Sequence, residues 1–171
     1  TDVLHELSKH KSLSVTTVQC EDEIAGCASS VGAAFGGALA VTSTSGPGIC
    51  LKSEAMNLAV IMELPLVVLD VQRGGPATGL PTKSEQTDLL QVLFGRNGES
   101  PMPVMAATSP TDCFDAAYQA CKIALEHMTP VVLLTDAFVA NGSGAFKLPD
   151  MTKLDAINPP YVPEELKGKW T

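Results

Sequence analysis

Glu21, Asp22 and Glu23 stand directly ahead of a segment, 24–37, made largely of small and apolar residues. Three acids in a row at such a place have two uses. They favour a helix amino terminus through its dipole, or one of them handles protons, because a carboxyl group at the mouth of a small, apolar helix is desolvated and gains proton affinity. Glu23, with that helix directly behind it, is the candidate for the second use. Arg73 divides in the same way. Beside Gly74 and Gly75, at the end of an apolar run, it is either a solvated or structural charge or a guanidinium that clamps a substrate carboxylate bidentately. Ser45, Gly46, Pro47 and Gly48 precede a helical pattern, so they form either a tight helix-entry turn or a cradle of N–H groups for an anion. The spacing and lysine of a P-loop are missing, and no GxGxxG follows a strand, so nucleotide binding is poorly supported. Lys83, Glu85, Gln86 and Asp88 are further polar candidates, on a loop that could close over a ligand.

The elements that must position these residues alternate along the chain. Residues 1–10 read as a short helix with Val3, Leu4 and Leu7 on one face, and the β-branched run 13–19 reads as a strand. A helix from Asp22 or Glu23 to Gly37 follows, then a strand over 38–43, a turn over 44–48 and a helix over 49–63. The continuous apolar run 66–71 has the character of a strand buried on both faces of a parallel sheet. Residues 72–82 are rich in Gly and Pro and lie at that strand's carboxyl end, where open α/β sheets bind ligands. A short helix over 84–94, a strand over 104–107, a helix over 110–127 and a strand over 130–135 complete the alternation. The order predicts an α/β fold: a right-handed, doubly wound, mostly parallel sheet of about five strands with helices on both faces. On this reading three clusters, 20–23, 42–48 and 70–88, share one cleft.

Composition narrows the partners. A formal charge of −8 argues against nucleic acid or an anionic membrane surface as the main partner, since both demand a basic face. The five cysteines, Cys20, Cys27, Cys50, Cys113 and Cys121, form no CxxC pair and lie mostly in apolar stretches, as expected of reduced, buried thiols in a cytoplasmic protein. With His5, His10 and His127 scattered, no zinc or iron–sulfur site of the chain's own is expected. Apolar runs are broken well short of the ~18 residues a membrane helix needs, and no signal-peptide pattern opens the sequence. The first residue is Thr1, not Met, so a fragment is expected, and the Pro-rich stretch from about Asn141 reads as a linker toward a further domain.

At the candidate residues a resemblance becomes specific. The ordered set Glu21-Asp22-Glu23-Ile24-Ala25, Thr44-Ser45-Gly46-Pro47-Gly48, Ser53-Glu54-Ala55 and Asp70-Val71-Gln72-Arg73-Gly74-Gly75-Pro76, ending in Gly79-Leu80-Pro81-Thr82 and Glu85-Gln86, resembles the pyrimidine-binding domain in the alpha subunit of 2-oxoacid:ferredoxin oxidoreductases. The 2-oxoglutarate enzymes are the nearest likeness. It covers about residues 1–140, and the linked motifs are far more specific together than singly. Thr-Ser-Gly-Pro-Gly alone also occurs in acetolactate-synthase-like thiamine enzymes, whereas the stretch from Asp70 to Pro76 selects the ferredoxin-linked family.

The resemblance implies the thiamine diphosphate-binding fold of pyrimidine type, with residues 1–140 as the domain and 141–171 as a linker or tail. It implies thiamine diphosphate with Mg2+ held between this domain and a diphosphate-binding domain, usually on a beta subunit, that carries a Gly-Asp-Gly motif absent from this sequence. Glu23 matches the glutamate that hydrogen-bonds the aminopyrimidine ring and promotes loss of the thiazolium proton. Beside it, Ser45, Gly46, Pro47 and Gly48 are expected to bind the cofactor, and Arg73, in the clamp reading given above, the substrate. The activity implied is coenzyme A-dependent oxidative decarboxylation of a 2-oxoacid, with an iron–sulfur cluster on a partner passing electrons to ferredoxin, in a cytoplasmic hetero-oligomer. There is one departure: the family's Pro- and Thr-rich turn before the first helix, with its substrate-touching threonine, lies at or before the start of this chain, and Thr1 is no safe replacement. The family's gamma-like and carboxyl-terminal domains are also missing, as expected of an excised or partially covered domain. Two other readings stay open, a non-oxidative thiamine diphosphate enzyme and a catalytically silent assembly module.

Overall fold

The computed structural model describes residues 2–160. Four parallel strands, β1 (Ala40–Thr44), β2 (Leu66–Gln72), β3 (Val104–Ala106) and β4 (Pro130–Asp136), form one sheet in the order β1-β2-β4-β3. β2 and β4 are the inner strands and carry the longest apolar runs, as burial on both faces requires. Their side chains alternate between two cores. Leu66, Val68, Val132 and Leu134 pack with α2 (Glu23–Phe35) and α4 (Ser53–Ile61), together with Val92 of α5 (Leu89–Phe94). Val67, Val131 and Leu133 pack with α6 (Cys113–His127) and Val139 of α7 (Ala137–Asn141). The sheet is thus covered on both faces, and the α/β, doubly wound reading holds.

Several boundaries differ from expectation. The first helix, α1, spans Asp2–Leu7; Thr1 lies outside the described residues. The run 13–19 is not a strand. A 3-10 turn, Lys11–Leu13, ends with Ser14 in the left-handed region at φ 60°, which turns the chain before the β-branched residues begin. Those residues pair with no strand, so the sheet has four strands among the described residues and not five. The helix predicted over 49–63 divides into α3 (Pro47–Leu51) and α4, with Lys52 at the joint. The helix predicted over 84–94 begins only at Leu89, because the preceding residues are held by other bonds: the amide of Asp88 donates to Gln72 Oε1 at 3.0 Å, and Gln86 Nε2 donates to Asp136 Oδ2 at 2.6 Å. Only Cys27 of the five cysteines is buried, while Cys50 is exposed, and all five are unpaired.

Beyond α7 the chain runs back along α6. Lys122 Nζ donates to the Ala156 carbonyl at 2.9 Å, and the Asn158 amide to Glu126 Oε1 at 2.9 Å. This stretch includes the first part of the segment expected to be a linker; residues 161–171 lie outside the described residues.

Candidate active site

The helix end behind the three acids is capped by Asp22. Its backbone is extended, and its Oδ1 accepts from the Ala25 amide at 2.7 Å, which satisfies an amide the helix itself cannot. That leaves Glu23, the first residue of α2, free of capping. Its side chain lies over Gly48. A Cβ on Gly48 would stand 2.0 Å from Thr44 Oγ1, 2.9 Å from Glu23 Cγ and 3.3 Å from Glu23 Oε1. Gly48 is therefore the one residue type that lets the end of β1, the start of α2 and the entry of α3 converge. Thr44 Oγ1, at the same point, is buried with no hydrogen-bond partner among the described residues.

Within the turn, two amides are already engaged. The Gly48 amide donates to the Ser45 carbonyl at 2.8 Å and the Ile49 amide to the Gly46 carbonyl at 3.2 Å, and Pro47 has no amide hydrogen, so the donors are engaged locally. Gly46 adopts φ 31° and passes close to Arg73, whose Cγ would be 3.6 Å from a Cβ there. A positive φ makes a side chain at Gly46 costly.

Glu23, Ser45 and Arg73 line one cavity of about 420 Å³, bounded also by Thr44, Val71 and Asn141. Gly46, Pro47 and Arg73 line a second, of about 360 Å³, with Pro76 and Asp88. Arg73 thus stands between the two. Its Nη2 donates to the Thr78 carbonyl at 3.3 Å, while its Nε is buried without a partner among the described residues. The loop that carries Arg73 is fastened: the Gly75 amide donates to Glu85 Oε2 at 2.8 Å, the Gly74 amide to the Lys83 carbonyl at 2.9 Å, and Gln86 reaches Asp136. Glu85 and Gln86, expected on a closing segment, are anchors here. Asp136 also caps α7, accepting from Phe138 and Val139, and these bonds, that from Gln86 foremost, hold its pKa below the usual carboxylate range.

Two ionisable groups escaped sequence reasoning. Lys52 is 1% exposed, and its Nζ donates to Thr42 Oγ1 at 3.0 Å and to the carbonyl of Glu23 at 3.2 Å. Burial lowers its pKa, opposed by Cys27 and Glu23, then by Cys20 and Asp22. Asp70, at 0% exposure, has neither carboxyl oxygen partnered among the described residues. Burial first, and the neighbouring Asp88 carboxyl second, push its pKa up to about 8. The signal for both was a charge inside an apolar pattern. Glu23, by contrast, is exposed in this chain, so the desolvation expected for it does not come from these residues.

Among the described residues no helix is long and apolar enough to cross a membrane, and no group of three or more His, Cys, Asp or Glu is placed to hold a metal ion.

Comparison with known proteins gives a consistent picture. The family described as pyruvate flavodoxin/ferredoxin oxidoreductase, thiamine diP-bdg, matches residues 1–169. The 2-oxoglutarate oxidoreductase subunit KorA of Mycobacterium tuberculosis is 62% identical over 156 residues, 91% of this chain and 24% of that protein. The 2-oxoglutarate synthase subunit KorA of Archaeoglobus fulgidus is 40% identical over 139 residues, 81% of this chain and 40% of its own. Among solved structures, the 2-oxoglutarate:ferredoxin oxidoreductase of Magnetococcus marinus, with 2-oxoglutarate, coenzyme A and succinyl-CoA bound, superposes with a TM-score of 0.76 at 41% identity, over 78% of this chain and 23% of that one. This chain therefore spans well under half the length of these relatives.

Proposed function

We propose that this chain, which belongs to the thiamine diphosphate-binding family of pyruvate flavodoxin/ferredoxin oxidoreductases, forms the pyrimidine-side wall of a shared active site in an enzyme that oxidatively decarboxylates 2-oxoglutarate. The observation that carries the reading is the convergence of Glu23, Gly48 and the unpartnered hydroxyl of Thr44. Glu23 is exposed at this corner, where its carboxyl can share a proton with the ring nitrogen of a heteroaromatic cofactor, and the Thr44 hydroxyl is a further unpartnered polar group beside it. When bound, thiamine diphosphate supplies a nucleophilic carbon and an electron sink for decarboxylation. Glu23 holds a proton at the aminopyrimidine nitrogen. Arg73, with one nitrogen still unpartnered, binds the carboxylate of the 2-oxoacid. Ser45 and Gly46 set the turn between the two, and Pro47 and Gly48 start the helix behind it.

The remaining parts belong elsewhere in this reading. The diphosphate and Mg2+ sit on a beta subunit, an iron–sulfur cluster on a partner passes electrons to ferredoxin, and coenzyme A accepts the acyl group. Residues 1–140 form the pyrimidine-binding domain, 141–171 lead toward a flanking domain, and the assembly is cytoplasmic. Two features support a shared site. Glu23 is exposed, and large apolar side chains such as Ile61 at 81%, Phe94 at 76% and Phe35 at 71% exposure are left in water.

The test is co-expression of the full-length subunit with its beta partner, an assay across several 2-oxoacids, and measurement of proton exchange at C2 of the bound cofactor. Glu23→Gln slows C2 exchange by about 10²-fold or more, while the solvated Glu21→Gln does not, because only the first removes the shared proton. Wild-type exchange in Glu23→Gln refutes the assignment. Turnover that needs neither coenzyme A nor an iron–sulfur partner points to a non-oxidative enzyme.

A further inference from the structure

A lysine with 1% exposure is costly, since its ammonium gives up water for only as many bonds as the fold provides. Leu or Met would fill the same space without that cost, so packing alone does not account for Lys52. Its contacts do. From the joint between α3 and α4, Nζ reaches Thr42 Oγ1 in β1 at 3.0 Å and the carbonyl of Glu23 in α2 at 3.2 Å. Gly26, one turn further along α2, lies against the same group: a Cβ there would be in ordinary contact with Nζ at 3.8 Å and with Thr42 Oγ1 at 4.0 Å. The same cation lies at the floor of a separate cavity of about 260 Å³, under Glu21, Asp22 and Glu23.

We propose that Lys52 is a positioning residue: it pins the carbonyl of Glu23 to Thr42 of β1, and so fixes the first turn of α2 and the direction from which the Glu23 carboxylate meets its target. The inference rests on the role given to Glu23 above. Asp22 caps the amide end of that turn, and Cys27, Val31 and Ala34 pack the body of α2 on the sheet. Lys52 adds a polar tie at the first turn itself, because it is bonded to the Glu23 carbonyl and to β1 at once. The Glu23 side chain meets Gly48 from that turn, in space a Cβ on Gly48 would take.

The experiment uses the full-length subunit assembled with its beta partner, as wild type, Lys52→Met, Thr42→Val, Glu23→Gln and the Lys52→Met/Glu23→Gln double variant. Backbone amide exchange is followed in residues 22–28 without added cofactor, with α6 as reference. In Lys52→Met it rises by about tenfold in the first turn of α2 and is unchanged in α6. With thiamine diphosphate bound, Lys52→Met slows C2 proton exchange by roughly 10- to 100-fold, with the KM for 2-oxoglutarate within about twofold of wild type. Because Lys52 acts through Glu23, the double variant is no slower than Glu23→Gln alone. Thr42→Val, which removes one of the two bonds, shifts amide and C2 exchange the same way by less. A folded Lys52→Met with wild-type amide and C2 exchange overturns the proposal, as does a double variant whose losses simply multiply. Should Lys52→Met not assemble, unchanged amide exchange in Thr42→Val overturns it. If Glu23→Gln itself exchanges C2 at the wild-type rate, the role of Glu23 fails, and the amide data still decide whether Lys52 holds the turn.

Discussion

Replacing Asp70 with Asn should make the chain more stable at alkaline pH and leave it nearly unchanged in acid. Asp70 is fully buried, neither of its oxygens has a partner among the described residues, and its pKa is pushed up to about 8 by burial and by Asp88, with the Gly46 amide pulling the other way. In the unfolded chain the same group titrates near 3.8. Between these values the folded chain holds a proton that the unfolded chain has released. The unfolded state is therefore increasingly favoured as the pH rises, so the stability contributed by the protonated group is fully present below about pH 4 and is lost progressively up to about pH 8. At about 1.4 kcal/mol per unit, the interval sets a ceiling of roughly 5 to 6 kcal/mol, a large part of the ~5–15 kcal/mol that holds a typical domain. Asn keeps the size of the protonated acid and removes the titration. Urea denaturation at intervals from pH 5 to 9 should show the midpoint falling for the wild type and a flatter profile for Asp70→Asn, and a carboxyl carbon titration by NMR should place Asp70 near 8. A wild-type stability that is flat or rising over that range, or an Asp70→Asn profile parallel to it, refutes the reasoning.

Gly48→Ala puts a methyl 2.0 Å from Thr44 Oγ1 and 2.9 Å from Glu23 Cγ, so chemical denaturation should show a loss of about 1–3 kcal/mol, the usual cost of overpacking, and the assembled enzyme should lose C2 exchange with it. In the assembled enzyme, Arg73→Lys should raise the KM for the 2-oxoacid more than that for coenzyme A, by about 1–3 kcal/mol in transition-state binding, because a point charge replaces a fork; equal effects on both constants would assign Arg73 a structural role. The purified chain alone should show no oxidoreductase turnover, and robust turnover in a dye-reduction assay would end the shared-site reading.

What could be read in the sequence was set by local physics. The apolar run of β2 and the Asp22-capped start of α2 are decided by neighbours in the chain, and both were legible to within a residue or two. The run 13–19 was misread because β-branched residues report only that a segment fits a pleated surface. Whether a neighbouring strand is there to receive it depends on the path of the whole chain, and the left-handed Ser14 sends this segment elsewhere. α7 was missed for a related reason. Five residues carry too little periodicity, and the signal that existed was a single one, Asp136 closing a strand and capping the next turn. Glu23, Ser45 and Arg73 do share a cavity, but the roles of Lys52 and Asp70 depend on contacts with the Glu23 carbonyl and Asp88, on other elements of the fold, and the local pattern around either does not contain that information.

The placement of the site follows from the parallel sheet. Thr44 is paired with Asp70, and Gln72, two residues further along β2, with Asp136, so three neighbouring strands deliver polar residues to the same end of the sheet. Two charged groups near this edge are fixed by bonds inside the chain: Asp136 by Gln86 and its capping bonds, Lys52 by Thr42 and the Glu23 carbonyl. The Glu23 side chain is exposed, and the Nε of Arg73, Thr44 Oγ1 and both Asp70 oxygens are unpartnered among the described residues. A wall made this way is preorganised before anything docks against it. On the proposed function, docking dries the Glu23 carboxylate, and the low dielectric that strengthens its interaction with a ring nitrogen is created by the same contact that completes the site.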